Sequence, residues 1–574
     1  MDIGIVGTGP AVDAIDAAMG DLDARVTETD AAELSGMDFG FVVGAAGAEA
    51  FGTATGTLDR WVAVEVGGVG GYAVEELDAA VSLFSGESAC FRCLRQRVAA
   101  TLVEPAEETQ GVRSAVRYAG ALAARRAIRH LTGEHLGGTV VEVEGPERRF
   151  QPVPFCRCSN GRDRTLTLTH RDASLSDAID RAESAVDNRV GPVQQVGEQE
   201  SYPLPYYLAQ TADTTGFSDV RAAEFAAGAD ADWNRAYMKA LGEALERYSA
   251  GVYRESEFRQ AAAAELDGTV SPTRFVRPEN YPEPTATEER RWAPAMDLDA
   301  GSGAWLPAEV VQYPPPEERI KPPITTGLGL GSSTVEATLS GLYEVLERDA
   351  TMLAWYSDYE PLGLSIEGGS ETDPNSFDRL RRRANAEELS VSTSLLTQDV
   401  DVPVVAVTVH RDDGEWPAFA AGSGCALDPV DAAESALAEA LQNWIELRNM
   451  GPEQAREEGG AIGEYGEFPE RVRELTEFEA TVPASSVVDD ADELSGETEL
   501  TELINRVTTA GLSPYAARLT PRDVASLGFE GVRVVVPSAQ PLFTGEAFFG
   551  DRLETVASSM GFEPRPDRAY HPFP

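Results

Sequence analysis

Glutamates at helical spacing are the residues in this chain best suited to chemistry. In Thr325 to Ala350 (TTGLGLGSSTVEATLSGLYEVLERDA) a Gly- and Ser-rich run leads into a long helical pattern carrying Glu336, Glu344, Glu347 and Arg348. At about 100° per residue, Glu344 and Glu347 return to within roughly 80° and 20° of Glu336, so the three share a stripe. Leu339, Leu342, Val345 and Leu346 make the rest of the helix apolar. Carboxylates on a largely buried helix are costly unless a cation lies against them. A Mg2+–polyphosphate would meet that need, the metal taking the oxygens and the glycines letting backbone N–H groups approach phosphate. The alternative is a salt-bridged helix in an acidic protein.

Two further stretches repeat the pattern. Ala236 to Gly251 (AYMKALGEALERYSAG) sets Glu243, Glu246 and Arg247 on one face, and Asp431 to Arg448 does the same with Glu439 and Gln442. The phrase E-x-x-E-R occurs in two of the three helices, which independent surface decoration seldom produces.

With these residues in view the chain resembles the YcaO superfamily, over roughly residues 175 to 574. The matching positions are Lys239/Glu243/Glu246/Arg247, then Glu336/Glu344/Glu347/Arg348/Asp349, then Glu439/Gln442, and a Pro-rich end, Tyr570 to Pro574. Lys239 stands where the family usually has Ser, and Ser332 where it often has Asn. Gly228-Ala229-Asp230 lacks the lysine of a Gly-Lys-Gly run.

The resemblance implies ATP- and Mg2+-dependent activation of a peptide backbone amide by phosphorylation. The product would be an azoline from Cys, Ser or Thr, or alternatively a thioamide made with a sulfide-delivering partner. A non-catalytic scaffold or accessory protein is the other class. Glu243, Glu246, Glu344 and Glu347 are the implied Mg2+ ligands. Lys239, Ser332, Glu336, Glu439 and Gln442 would serve the nucleotide, with Arg247 and Arg348 facing phosphates. The carboxylate of Pro574 would place or deprotonate the attacking group. The implied partners are a peptide or protein substrate and a TfuA-like or leader-binding protein, and a homodimer is the expected assembly.

The fold class expected is an α/β Rossmann-like amino-terminal domain (residues 1–160) followed by a larger α+β YcaO domain (residues 175–574). Strand Ile3 to Val6, the loop Gly7-Thr8-Gly9-Pro10, helix Ala11 to Met19 and further strands at 24–29 and 39–43 open a Rossmann-type unit. The loop lacks the third glycine of G-x-G-x-x-G, so an architectural role competes with NAD or FAD binding. Cys90-Phe-Arg-Cys93 and Cys156-Arg-Cys158 suit a structural Zn2+, with free buried thiols or a redox pair as alternatives. CFRCLRQR behind a Rossmann half also resembles the ThiF-like (ubiquitin-activating-type) domain of fused azoline-forming cyclodehydratases.

Residues 160–176 read as a polar connector, Glu453 to Gly496 as a solvated insertion, and 532–537 as a late core strand. Net charge is −49, from 96 acidic and 47 basic residues, a field that excludes nucleic acid and anionic membrane as partners. Only two of the basic residues, Lys239 and Lys321, are lysines. An acidic, Lys-poor surface suits a halophilic host. Both lysines are expected near the nucleotide. Neither a signal peptide nor an apolar run of membrane-spanning length is visible, which points to the cytoplasm.

Overall fold

A computed structural model describes residues 1–573 except 87, 103, 107–109, 159–160, 368–374, 413, 459 and 488–493, and it leaves out the side chains of 458–461. Pro574 lies outside the described residues.

The amino-terminal residues build a seven-stranded sheet, in the order Arg25–Glu28, Asp2–Val6, Phe39–Ala45, Trp61–Val66, Ala79–Phe84, Thr139–Glu142 and Glu147–Arg149. The first four strands are parallel and the last three antiparallel. Alternate residues face opposite sides, as the pleat requires. Ile3, Ile5, Phe41 and Val62 pack on helices Pro10–Met19 and Arg113–Leu131. Val42, Trp61 and Phe84 pack on Glu49–Thr57 and Phe91–Thr101. Both faces are thus covered, which is why the strands read as apolar runs. A methyl at Gly7 (φ +115°) would lie 2.3 Å from the Val43 carbonyl oxygen, so packing alone demands glycine in this loop.

The rest of the chain forms three antiparallel-rich sheets. One has the order Val193–Glu200, Tyr206–Thr211, Phe225–Ala229. The second has the order Arg259–Ala262, Glu289–Asp297, Tyr515–Arg518, Glu530–Val535, Leu328–Gly331, with Ser302–Pro307 also paired to Glu289–Asp297. The third has the order Phe419–Cys425, Val404–His410, Ser390–Leu395, Leu362–Ser365, Thr481–Pro483. Each sheet supplies one strand that turns directly into a helix lying back upon it. These are the first (Trp233–Gly251), second (Thr334–Trp355) and third (Pro429–Glu458) acidic helices, the last kinked at Gly451-Pro452.

One expectation needs correction. Glu453 to Gly496 is not a solvated insertion in its described part: Tyr465, Phe468, Val472 and Leu475 are buried against Phe419 and Trp355. Its high charge sits on the outward side of short helices. The 160–176 connector is polar as expected, irregular over its described residues up to Ser174 and helical from Leu175, and it is strapped down. Leu166 is buried, Arg162 donates to the Val252 carbonyl at 2.6 Å, and Thr334 Oγ1 donates to the Thr167 carbonyl at 2.8 Å.

Candidate functional site

The three acidic helices dock on their strands by one recurring device. A methyl on Gly228, Gly329 or Gly424 would sit 2.5, 2.1 or 2.2 Å from the carbonyl oxygen of Ala236, Ala337 or Ala432, so only glycine lets the backbones meet. Two turns farther along each helix a glutamate reaches back to a strand N–H. Glu243 accepts from Ala227 at 3.1 Å, Glu344 from Gly327 at 2.9 Å and Glu439 from Ser423 at 2.6 Å. One turn beyond lie Glu246, Glu347 and Gln442. The pattern G-x7-A-x6-E-x2-(E/Q) therefore occurs three times, and each copy delivers a pair of acceptors to the same region.

That region holds a cavity of about 820 Å3. Lys239, Glu243 and Glu246 line it from the first helix, Ser332 and Glu336 from the second helix and its turn, and Glu439 and Gln442 from the third. Glu344 and Glu347 do not line the cavity but form a layer beneath it. Burial, with Glu344 and Glu243 adding to it against Arg247, pushes the Glu246 carboxyl up to about 8. Burial and Glu439 push Glu347 up to about 7 against Arg348. Burial raises Glu243 as well. These carboxyls crowd together with less positive charge than they need.

Arg247 and Arg348, expected to face phosphates, lie against carboxylates. Arg247 is 3.0 Å from Glu243 and 3.8 Å from Glu246, and Arg348 is 3.3 Å from both Glu347 and Glu439. The glycine-rich turn departs from its expected role in a similar way. The N–H of Gly327 goes to Glu344, that of Ser332 goes to Glu336 at 2.7 Å, and Gly329 serves helix packing. Lys239 Nζ reaches back to Asp230 Oδ2 at 2.7 Å and the Ala229 carbonyl at 3.3 Å, so it serves the very run that lacks a lysine of its own. Lys321 does not line this cavity.

Three contributors were not foreseen. Arg533, buried on Glu530–Val535, donates to the carbonyls of Ile324 and Thr325 at 2.8 Å each, and the fields of Glu344 and Glu246 act on it. A charged residue inside the apolar run VRVVVP was the available signal. Arg181 donates to Ser332 Oγ at 2.8 Å, and Ser423 Oγ donates to Glu347 at 2.7 Å. No local pattern marks either of these.

The four amino-terminal thiols converge. Cys90 Sγ lies 3.8 Å from Cys93 and 3.6 Å from Cys156, Cys93 lies 3.5 Å from Cys158, and all four sulfurs fall within 4.8 Å of one another. A tetrahedron of thiolates around zinc has edges of about 3.8 Å, so the set fits a structural Zn2+. The helix carrying Cys93 also carries Arg97, whose fully buried guanidinium pairs with Asp523 and donates to Tyr248 Oη of the first acidic helix at 3.2 Å. At the other end of the chain, Tyr570 and His571 both hydrogen-bond the Phe543 carbonyl, and Phe573 is buried.

An uncharacterized protein of Methanothermobacter thermautotrophicus is 30% identical over 349 residues, covering 57% of this chain and 85% of its own. An uncharacterized protein in the tfuA 3′ region of Rhizobium leguminosarum bv. trifolii is 30% identical over 169 residues, 27% of this chain and 39% of its own. A solved heterocyclase in complex with substrate and cofactor shares the fold, with a TM-score of 0.73 and 18% identity over 98% of this chain and 83% of that one. Residues 227–540, which hold all three acidic helices, match the family model for YcaO cyclodehydratases, ATP- and Mg2+-binding, and the chain belongs to the YcaO family.

Proposed function

We propose that this protein activates a peptide backbone amide with ATP and closes it to an azoline. The observation that carries the reading is the convergence of Glu243, Glu246, Glu336 and Glu439 from three helices on one cavity of about 820 Å3, with the half-buried Glu243 and Glu246 held above the ordinary carboxyl range. That volume lies within the range of small-molecule sites and is ample for a nucleotide. The carboxylates Glu243, Glu246, Glu344 and Glu347 fit Mg2+, which when bound supplies the charge that their crowding and a triphosphate both require. Lys239, Ser332, Glu336, Glu439 and Gln442 orient the nucleotide, while Arg247 and Arg348 hold the acidic layer together from beneath. The intact acidic set favours catalysis over a scaffold.

In this reaction a Cys, Ser or Thr side chain of the peptide adds to the preceding carbonyl carbon and gives up its proton. The oxyanion formed takes the γ-phosphoryl group as ADP leaves. Phosphate then departs with the former carbonyl oxygen, and the amide nitrogen loses its proton to leave C=N. The protein's work is positioning and charge neutralisation. A second reading, thioamide formation with external sulfide as the nucleophile, is favoured by the relative in a tfuA region.

Residues 1–160 constitute, on this reading, a ThiF-like Rossmann-type domain that presents the peptide or its leader, and residues 175–574 the catalytic domain. The parallel strand order and the covered sheet faces support the first unit, and its Cys90, Cys93, Cys156 and Cys158 would hold Zn2+ as a structural cross-link. Charge −49 with two lysines supports a salt-rich cytoplasm as the setting. Among the described residues no helix is long and apolar enough to cross a membrane.

Mg·ATP should raise the melting temperature of the wild type, and Glu344→Gln or Glu347→Gln should abolish peptide-dependent ADP formation with the fold retained. Mass spectrometry of treated peptide separates loss of water from exchange of oxygen for sulfur. Undiminished turnover in both variants would refute the site.

A further inference from the structure

Lys321 occupies a place in the fold that the nucleotide reading leaves unused. It lies where two smaller hollows adjoin. One, of about 260 Å3, is walled by Tyr281, Pro322, Pro323, Phe543 and Thr544, with Glu546 its one acidic wall residue. The other, of about 40 Å3, runs inward to Arg348 and Arg533. Lys321, Ile324 and Pro541 line both.

Neither hollow shares a wall residue with the large cavity, yet one layer of side chains separates them. Arg348, in the inner wall of the narrow hollow, donates to Glu439 in the wall of the large cavity at 3.3 Å. Arg533 stands in the same inner wall. Burial pulls it down to about 10, and the fields of Glu344 and Glu246 on the nucleotide side oppose that fall. The passage therefore meets the acidic layer from behind.

In-line phosphoryl transfer requires the attacking oxygen to approach from the side away from the departing ADP. The Pro-walled passage offers that approach. Lys321 Nζ has no hydrogen-bond or ion-pair partner among the described residues, so its donors are free for a ligand. Burial and the Arg533 field pull it down to about 7, which keeps it from demanding an anion of its own.

We propose that this passage admits the substrate peptide, with Lys321 hydrogen-bonding a backbone carbonyl beside the reacting amide. This rests on the amide-activation reading above. The paucity of lysine makes it testable on the whole protein. Amine acetylation with N-hydroxysuccinimidyl acetate, followed by peptide mapping, reads Lys239 and Lys321 separately. Mg·AMPPNP should slow acetylation of Lys239 and leave Lys321 reactive. N-acetyl-Gly-Cys-Gly amide, added to the nucleotide-loaded protein, should slow Lys321 about tenfold at ten times its Kd. Lys321→Met should raise the KM of that peptide in stimulated ADP release while the nucleotide-induced melting shift persists. Protection of Lys321 by nucleotide alone, or no protection by the peptide, overturns the passage. Failure of nucleotide to protect Lys239 instead sinks the parent assignment, and peptide protection of Lys321 would survive it.

Discussion

Arg348 on the second acidic helix donates to Glu439 on the third across 3.3 Å, and the same guanidinium lies 3.3 Å from Glu347. Burial pulls the arginine down, but Glu347 and Glu439 together hold it above its ordinary value. Without it, two acidic groups from separate strand–helix units face each other in a poorly solvated layer. Arg348→Met should cost about 2–4 kcal/mol, somewhat below the figure for a fully buried pair because Glu439 keeps some exposure. Denaturant unfolding measures the loss. Saturating Mg2+ should recover part of it, and Arg348→Lys should not rescue the variant, because a single ammonium does not span both carboxylates.

Arg97 and Asp523 join the amino-terminal helix Phe91–Thr101 to the part of the chain that holds the first acidic helix, both side chains fully buried and Tyr248 hydrogen-bonded to each. Asp523→Asn leaves a guanidinium in the core with no charged partner. The expected loss is about 3–5 kcal/mol, and the double change Arg97→Met with Asp523→Leu should recover most of it. If the single variant melted like the wild type, the pair would not be holding the two regions together.

The acidic helices were legible because E-x-x-E or E-x-x-Q at helical spacing is a local pattern; the first ends at Gly251 as expected, while the second and third run on past their expected ends. The first runs Trp233–Gly251 and the second Thr334–Trp355. Their common docking device was present in the sequence too, as Gly228/Ala236/Glu243, Gly329/Ala337/Glu344 and Gly424/Ala432/Glu439, but a search for carboxylates alone passes over the glycine and alanine. Arg533 was legible only as a charge inside an apolar run, and its partners were not. Its hydrogen-bond partners are carbonyls more than two hundred residues away, and only the sheet order brings Leu328–Gly331 beside Glu530–Val535. In the Glu-rich stretch, charge density obscured the helical spacing of Tyr465, Phe468, Val472 and Leu475, which was the better guide to their burial.

The thiol cluster leads to a stoichiometric prediction. Purified protein should carry about one zinc per chain, and Cys93→Ser, which removes a fully buried ligand, should abolish it. Zinc present at a thousandfold its Kd contributes about 4 kcal/mol of stability. Chelation should therefore lower the melting temperature of the wild type and leave Cys93→Ser unmoved. Elemental analysis that finds no metal in freshly purified wild type would instead assign the four sulfurs as free thiols.

His571 makes the stability of the carboxyl-terminal tail depend on pH. Its Nε2 hydrogen-bonds the Phe543 carbonyl at 2.9 Å, and burial pulls the ring down to about 4 from 6.5, with the Arg348 field in the same direction and the backbone hydrogen bonds opposing. Between those values the unfolded chain binds a proton that the folded ring refuses. The group's contribution is therefore whole above about pH 6.5, is lost as pH falls toward about 4, and changes no further below that. The full loss is at most about 3 kcal/mol. Other carboxylates titrate in the same window, so the comparison is with His571→Gln, whose amide can keep the hydrogen bond and does not ionise. Going from about pH 7 to about pH 5, the wild type should lose more stability than this variant, by up to about 2 kcal/mol. Parallel unfolding curves across that range would show that the ring is protonated in the folded tail.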